Sequence, residues 1–146
     1  MKRTAIVFAT AFSSLGAMAQ MTPVGTWHTI DDNTKEIKSE MVITELAGVL
    51  SGKVSKLLRK EAKQDAVCEE CSDDRKGKLI LGMEVIRAGK KVDGKDVWEG
   101  GKILDPESGK EYSFRMTPID GGKKLELRAY IGTPMLGRTQ TWLRIQ

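Results

Sequence analysis

The chain has 146 residues, 30% of them charged and 5% aromatic, with a formal net charge of +4. Two of the cations, Lys2 and Arg3, lie at the start, and removing them takes the balance from +4 to +2. The length supports one domain with one core, and a nearly balanced charge with no basic stripe between aromatics argues against a nucleic-acid partner.

The N-terminus has the parts of a secretion signal. Lys2 and Arg3 form a positive n-region, Ala5 to Phe12 an apolar run too short to span a bilayer, and Ala17-Met18-Ala19 an A-x-A cleavage triplet. No cysteine stands at the junction, so no lipid anchor is expected there. No later apolar run reaches the length of a membrane span. The expected organisation is a signal peptide at 1–19 and one exported domain at 20–146, placed in the periplasm or, failing that, secreted.

Eight strands are expected. Val24–Ile30 is the first. The polar turn Asp31-Asp32-Asn33-Thr34 leads to Ile37–Leu46, and Ala47-Gly48 leads to Val49–Leu58. A long polar insertion, Arg59 to Lys78, follows; residues near Leu57, Leu58, Glu61 and Ala62 are good helix formers, but no sustained helical period emerges. Lys53, Lys56, Arg59, Lys60 and Lys63 form the densest basic stretch, read as a solvated strand end and loop, with contact to anionic lipid or wall polymer as the alternative. Leu79–Arg87 is the fourth strand, with Leu79, Leu81, Met83 and Val85 on one face and Ile80 and Ile86 spoiling the other. Ala88–Asp96 is read as a loop and Val97–Leu104 as the fifth strand. The turn Asp105-Pro106-Glu107-Ser108-Gly109 precedes Lys110–Thr117, and Asp120-Gly121-Gly122 precedes Lys124–Ile131. Arg138–Ile145 is the eighth. Two strands alternate cleanly. Tyr112, Phe114 and Met116 share a face, as do Leu125, Leu127, Ala129 and Ile131. Period-two patterning means one side in a core and one in water. Short connections favour an up-and-down meander, and closing it removes exposed edges. The expected fold is therefore all-β: a single antiparallel eight-stranded up-and-down barrel with one long polar loop insertion.

Gly25-Thr26-Trp27 resembles the G-x-W on the first strand of lipocalins. The resemblance implies that the Trp closes one barrel end and that an Arg of the last strand, here Arg144, packs against it. More of the chain resembles the bacterial exported family known as domain of unknown function 2147. The matching stretches are Pro23-Val24-Gly25-Thr26-Trp27, Cys68-Glu69-Glu70-Cys71 and Leu79-Ile80-Leu81-Gly82-Met83, then Trp98-Glu99-Gly100-Gly101-Lys102-Ile103-Leu104-Asp105-Pro106. They continue with Gly109-Lys110-Glu111-Tyr112, Arg128-Ala129-Tyr130-Ile131-Gly132 and Leu136-Gly137-Arg138-Thr139-Gln140-Thr141-Trp142. What this implies is an exported, lipocalin-like barrel with no assigned activity.

Little in the chain suggests catalysis. Cys68 and Cys71 are the only cysteines. In an oxidising compartment a C-x-x-C pair is read first as a disulfide, pinning the tip of the insertion. A redox pair or a metal site are the alternatives. Glu69, Glu70, Asp73 and Asp74 surround the pair and disfavour the thiolate that redox chemistry needs. A zinc site lacks ligands, since His28 is distant and alternates with Trp27 onto the opposite face. No metal and no cofactor are expected. Glu84 and Glu99 lie on strands and are read as facing water; an inward carboxylate in an apolar barrel would be a candidate acid. Met83, Tyr112, Phe114, Met116 and Leu127 are the candidate ligand-binding residues, with Tyr112 as a polar handle. A barrel packed with side chains is the competing state.

The expected function is non-catalytic binding of a small apolar or amphipathic molecule in the barrel. The alternative is an interaction module with a filled barrel, docking another envelope component through the Cys68–Cys71 loop or the rim. For export, the expected outcome is a mature chain that starts at Gln20. N-terminal sequencing of the envelope fraction checks it, and an intact Met1 on exported protein would refute it.

Overall fold

The computed structural model describes residues 21–146; the expected signal peptide at 1–19 lies outside the described residues. Eight strands run β1 Gly25–Ile30, β2 Ile37–Leu46, β3 Val49–Leu57, β4 Glu84–Lys91, β5 Trp98–Asp105, β6 Lys110–Ile119, β7 Lys124–Tyr130 and β8 Gly137–Arg144. Each pairs antiparallel with the next, and β8 pairs with β1, so the sheet is a closed up-and-down barrel. The only helical element among the described residues is a 3₁₀ turn at Asp120–Gly122. None of their helices is long and apolar enough to cross a membrane.

Seven strands lie within two residues of their expected bounds. The fourth does not. Leu79–Met83 belongs to the insertion, where Ile80 N–H donates to the Ala66 carbonyl at 2.9 Å and Val67 bridges Leu79. The strand starts at Glu84 and runs on through the segment expected to be a loop, as far as Lys91. Its mixed pattern has a physical cause. The β3–β4 register shifts between Gly52 and Lys53, so Val85 and Ile86 are both buried although adjacent. Ala88, at φ 63°, adds a further irregularity.

The β1–β8 seam is the shortest ladder, with only Trp27↔Arg144 and His28↔Leu143 in register. Side chains reinforce it. The Arg144 guanidinium lies 4.2 Å from the centre of the Trp27 ring, a cation–π arrangement. It also donates to the carbonyls of Gly122 (2.6 Å), Val24 (2.8 Å) and Thr22. Burial pushes its pKa down from the ordinary arginine value, yet a guanidinium stays charged in any accessible range. Trp27 is fully buried and its indole N–H donates to the Pro23 carbonyl at 2.8 Å. Gly25 makes the arrangement possible. Its φ is +144°, and a Cβ there would lie 2.4 Å from Arg144 Nη1.

Arg144→Met keeps the length of the side chain and removes every donor. The carbonyls it serves then lose partners in a half-buried site, and the expected cost is about 3 kcal/mol. Urea denaturation measures it, and a loss under about 1 kcal/mol would show that the seam does not depend on the guanidinium.

Candidate functional site

The barrel interior is divided. In the half that Arg144 closes, Trp27, Ile43, Leu50, Ile86, Phe114, Met116 and Leu125 are all at most 1% exposed and belong to one hydrophobic core cluster. In the opposite half a cavity of about 680 Å³ opens at the rim made by the β1–β2 and β5–β6 turns and the β3–β4 insertion. That volume is in the range of small-molecule sites.

Two kinds of wall enclose it. Val54 on β3, Val85 on β4, Ile103 on β5 and Leu127 on β7 form a broad apolar side, which Tyr112 on β6 and Ala129 on β7 complete. The other side is β8, β1 and β2, which carry Gln140, Thr29 and Ser39. Thr29 and Ser39 are cross-strand partners, 5% and 7% exposed, with their hydroxyl oxygens 2.6 Å apart. Gln140 accepts from the Trp142 indole N–H at 3.1 Å and donates to Asp32 at 2.8 Å. The β1–β8 ladder ends at His28 and Leu143. Beyond it, toward the mouth, Asp32 spans the two strands, through Gln140 and through an ion pair with Arg138 at 3.5 Å.

Charges ring the mouth in opposed pairs. Arg59, at the start of the insertion, pairs with Asp31 of the β1–β2 turn and with Glu107 of the β5–β6 turn at 2.8 Å. Lys38 reaches the same Glu107 at 3.4 Å. Asp31 accepts from the backbone N–H groups of Thr34 and Asn33 and from Arg59, which together hold its pKa at about 2.

The insertion covers one side of the mouth, with Ala62, Ala66 and Ile80 on the cavity wall. Cys68 and Cys71 form a disulfide. The pair is 0% and 2% exposed and belongs to the hydrophobic core. The bridge expected to pin the tip of the insertion is present, and it is buried in the core, where apolar sulfurs are stabilised. Arg75, 4% exposed, ties the insertion to the barrel, pairing with Asp73 at 2.6 Å and Glu111 of β6 at 2.8 Å and donating to the Glu84 carbonyl at 3.0 Å. Gly109 receives the insertion closely. Its φ is +71°, and a Cβ there would lie 2.1 Å from the Glu70 carbonyl oxygen.

Of the five candidate ligand-binding residues, Tyr112 and Leu127 line the cavity. Met83, Phe114 and Met116 do not. Phe114 and Met116 are fully buried on the filled side, where Phe114 crowds Gly89 of β4, and Met83 is buried at the end of the insertion, its carbonyl accepting from Val54 N–H. The sequence reading missed Thr29, Ser39 and Gln140. The signal was present: polar side chains at positions that share the inward parity of Trp27, Met41 and Trp142. Glu84 and Glu99 bond to surface groups, Glu84 to Ser51 (2.5 Å) and Arg87 (2.6 Å), Glu99 to Arg115 (2.9 Å). Hydrogen bonds from Ser51 and Arg87 hold the Glu84 pKa below its usual value, so it stays an anion.

Residues 25–144 match the family described as "Uncharacterized protein conserved in bacteria (DUF2147)". No curated protein matches the sequence. Among solved structures the chain is similar to HP1028 of Helicobacter pylori, described as belonging to the lipocalin family. The TM-score is 0.72 at 21% identity, covering 87% of this chain and 85% of that one. At that identity the likeness is one of fold.

The buried disulfide changes what its removal should do. Closing so short a loop contributes about 2 kcal/mol, and serine would add two buried hydroxyls. Cys68→Ser, Cys71→Ser is therefore expected to cost about 3–5 kcal/mol, with Cys68→Ala, Cys71→Ala nearer the cross-link alone. Denaturant melts of both variants check the ordering, and equal losses would mean that burial of the pair contributes nothing.

Proposed function

This chain belongs to the DUF2147 family, and we propose that it is an exported envelope protein that binds a small amphipathic molecule in the open half of its barrel. The observation that carries the reading is the cavity of about 680 Å³, mostly apolar inside and ringed by charge at its mouth. Binding sites of this type combine apolar walls with a few oriented polar groups. The lipocalin-family likeness of the fold supports it.

The cavity residues support binding rather than catalysis. Thr29 and Ser39 are the hydroxyls on the polar wall, and a nucleophile needs an adjacent base. The chain's single histidine, His28, follows Trp27 on β1 and so turns to the outer face. The alternative of docking through the cysteine loop has less support, because both sulfurs are buried against the barrel.

Two substitutions on neighbouring strands test the division of the interior. Ala129 lines the cavity and is the register partner of Phe114, which lies on the filled side. Ala129→Phe is expected to occupy the cavity, cutting uptake of a neutral fluorescent probe such as N-phenyl-1-naphthylamine at least about 10-fold, with stability held within about 1 kcal/mol. Phe114→Trp is expected to cost about 1–3 kcal/mol by overpacking. Probe titrations and thermal melts of both variants check this. No probe uptake by the unmodified protein would refute the binding reading.

A further inference from the structure

Resting on the reading of the cavity as a binding site, we infer the class of its ligand: an uncharged amphipath that presents a hydrogen-bond donor, a hydroxyl or amide N–H, to the wall formed by β8, β1 and β2.

The wall is rich in acceptors. Thr29 and Ser39 together have two hydroxyl hydrogens and four lone pairs. Their mutual bond at 2.6 Å uses one hydrogen and one lone pair. The Thr29 hydroxyl also reaches the Ser39 carbonyl, at 3.5 Å. With the second hydrogen turned there, the pair offers lone pairs alone. Gln140 has its carbonyl oxygen on the Trp142 indole and one amide hydrogen on Asp32. A ligand donor completes this wall. The second amide hydrogen of Gln140 is the remaining donor, so on this wall free lone pairs outnumber donors and a group that only accepts is matched less well than one that donates.

Charge argues the same way. A carboxylate or phosphate drawn into an apolar cavity needs a cation that is free to meet it. Arg59 is paired with Asp31 and Glu107, Lys38 with Glu107, and Arg138 with Asp32. An anion would have to displace carboxylates already in place, one of which, Asp31, is held ionised by backbone N–H groups as well. Lys63 stands exposed on the insertion, where its ammonium is hydrated. The pairing of Arg59, Lys38 and Arg138 disfavours an anionic head, and the acceptors of the wall favour a donor.

Three ligands of one chain length separate the terms: 1-decanol, methyl decanoate and sodium decanoate, each displacing N-phenyl-1-naphthylamine from the full mature chain at pH 8. Decanol is expected to displace the probe at concentrations at least about 10-fold below decanoate and about 5-fold below the ester, a neutral molecule that lacks the donor. Ser39→Ala is expected to bring decanol level with the ester, with the probe Kd measured anew for each variant to convert displacement into affinity, and circular dichroism checking that the fold is retained. Thr29→Val provides a second removal of wall acceptors, with the same expectation. Decanoate equal to or tighter than decanol would overturn the inference and leave the cavity as a binding site. So would an alcohol-to-ester ratio that neither variant changes. Failure of the probe and of all three ligands would remove the binding reading itself.

Discussion

The barrel depends on how β1 and β8 are held together. Seven of its eight interstrand ladders join strands adjacent in sequence, and their connections enforce the pairing. The eighth brings residues 117 positions apart in the sequence into register at Trp27 and Arg144, so its closure carries the largest loop entropy. Backbone pairing there is brief. Arg144 compensates by stacking on Trp27 and by donating to carbonyls of the β6–β7 turn and of the segment before β1. One planar cation thus joins three pieces of chain, a task that suits the fixed fork of a guanidinium better than an ammonium. Trp27 fills the barrel end beneath it, and Gly25 leaves the space the guanidinium needs.

Closure at that end leaves freedom at the other. Once β1 and β8 part beyond His28 and Leu143, polar groups rather than ladder bonds face the gap, and Asp32, Gln140 and Arg138 bridge it. The insertion is placed to complement this opening. It leaves β3 on one side of the mouth, and Arg75, Cys68 and Cys71 anchor its base against β4 and β6. Arg59 then reaches across to both neighbouring turns. The mouth is bounded by pairs of side chains from five elements, the β1–β2 turn, β2, the insertion, the β5–β6 turn and β8, whereas the floor is bounded by packed core. Surface ion pairs contribute little each to stability. Their effect here is on the rim itself, where cations and carboxylates neutralise one another.

Much of the fold was legible because the strands alternate and the turns are marked. Asp105-Pro106 and Asp120-Gly121-Gly122 delimit β6 on both sides, and Leu125, Leu127 and Ala129 carry a clean inward parity. β4 was misplaced because a bulge breaks parity. With Val85 and Ile86 both inside, the period of two fails over the residues that would have defined the strand, and Leu79 and Leu81 offered a false one. The disulfide pairing followed from composition, but its depth did not, because the insertion folds back through contacts distant in sequence: Gly109 under Glu70, Glu111 on Arg75. The cavity was half legible. Aromatic and methionine side chains drew attention as pocket residues, yet large flexible side chains are what fills a small barrel.

The position of the cavity follows from a taper in side-chain size along the inward positions. On β1 the sequence toward the mouth is Trp27, then Thr29; on β2 it is Ile43, Met41, Ser39; on β7 it is Leu125, Leu127, Ala129. Register brings the small ends together, with Thr29 opposite Ser39. A barrel of fixed strand number has nearly constant width, so shrinking the inward residues on neighbouring strands leaves volume that no other element fills. The same taper turns polar on one side only. Thr29 and Ser39 remove volume and add hydroxyls, whereas Ala129 on β7 and Val85 on β4 remove volume and stay apolar. Size sets where the cavity lies, and the choice between hydroxyl and methyl at equal size sets which of its walls is polar.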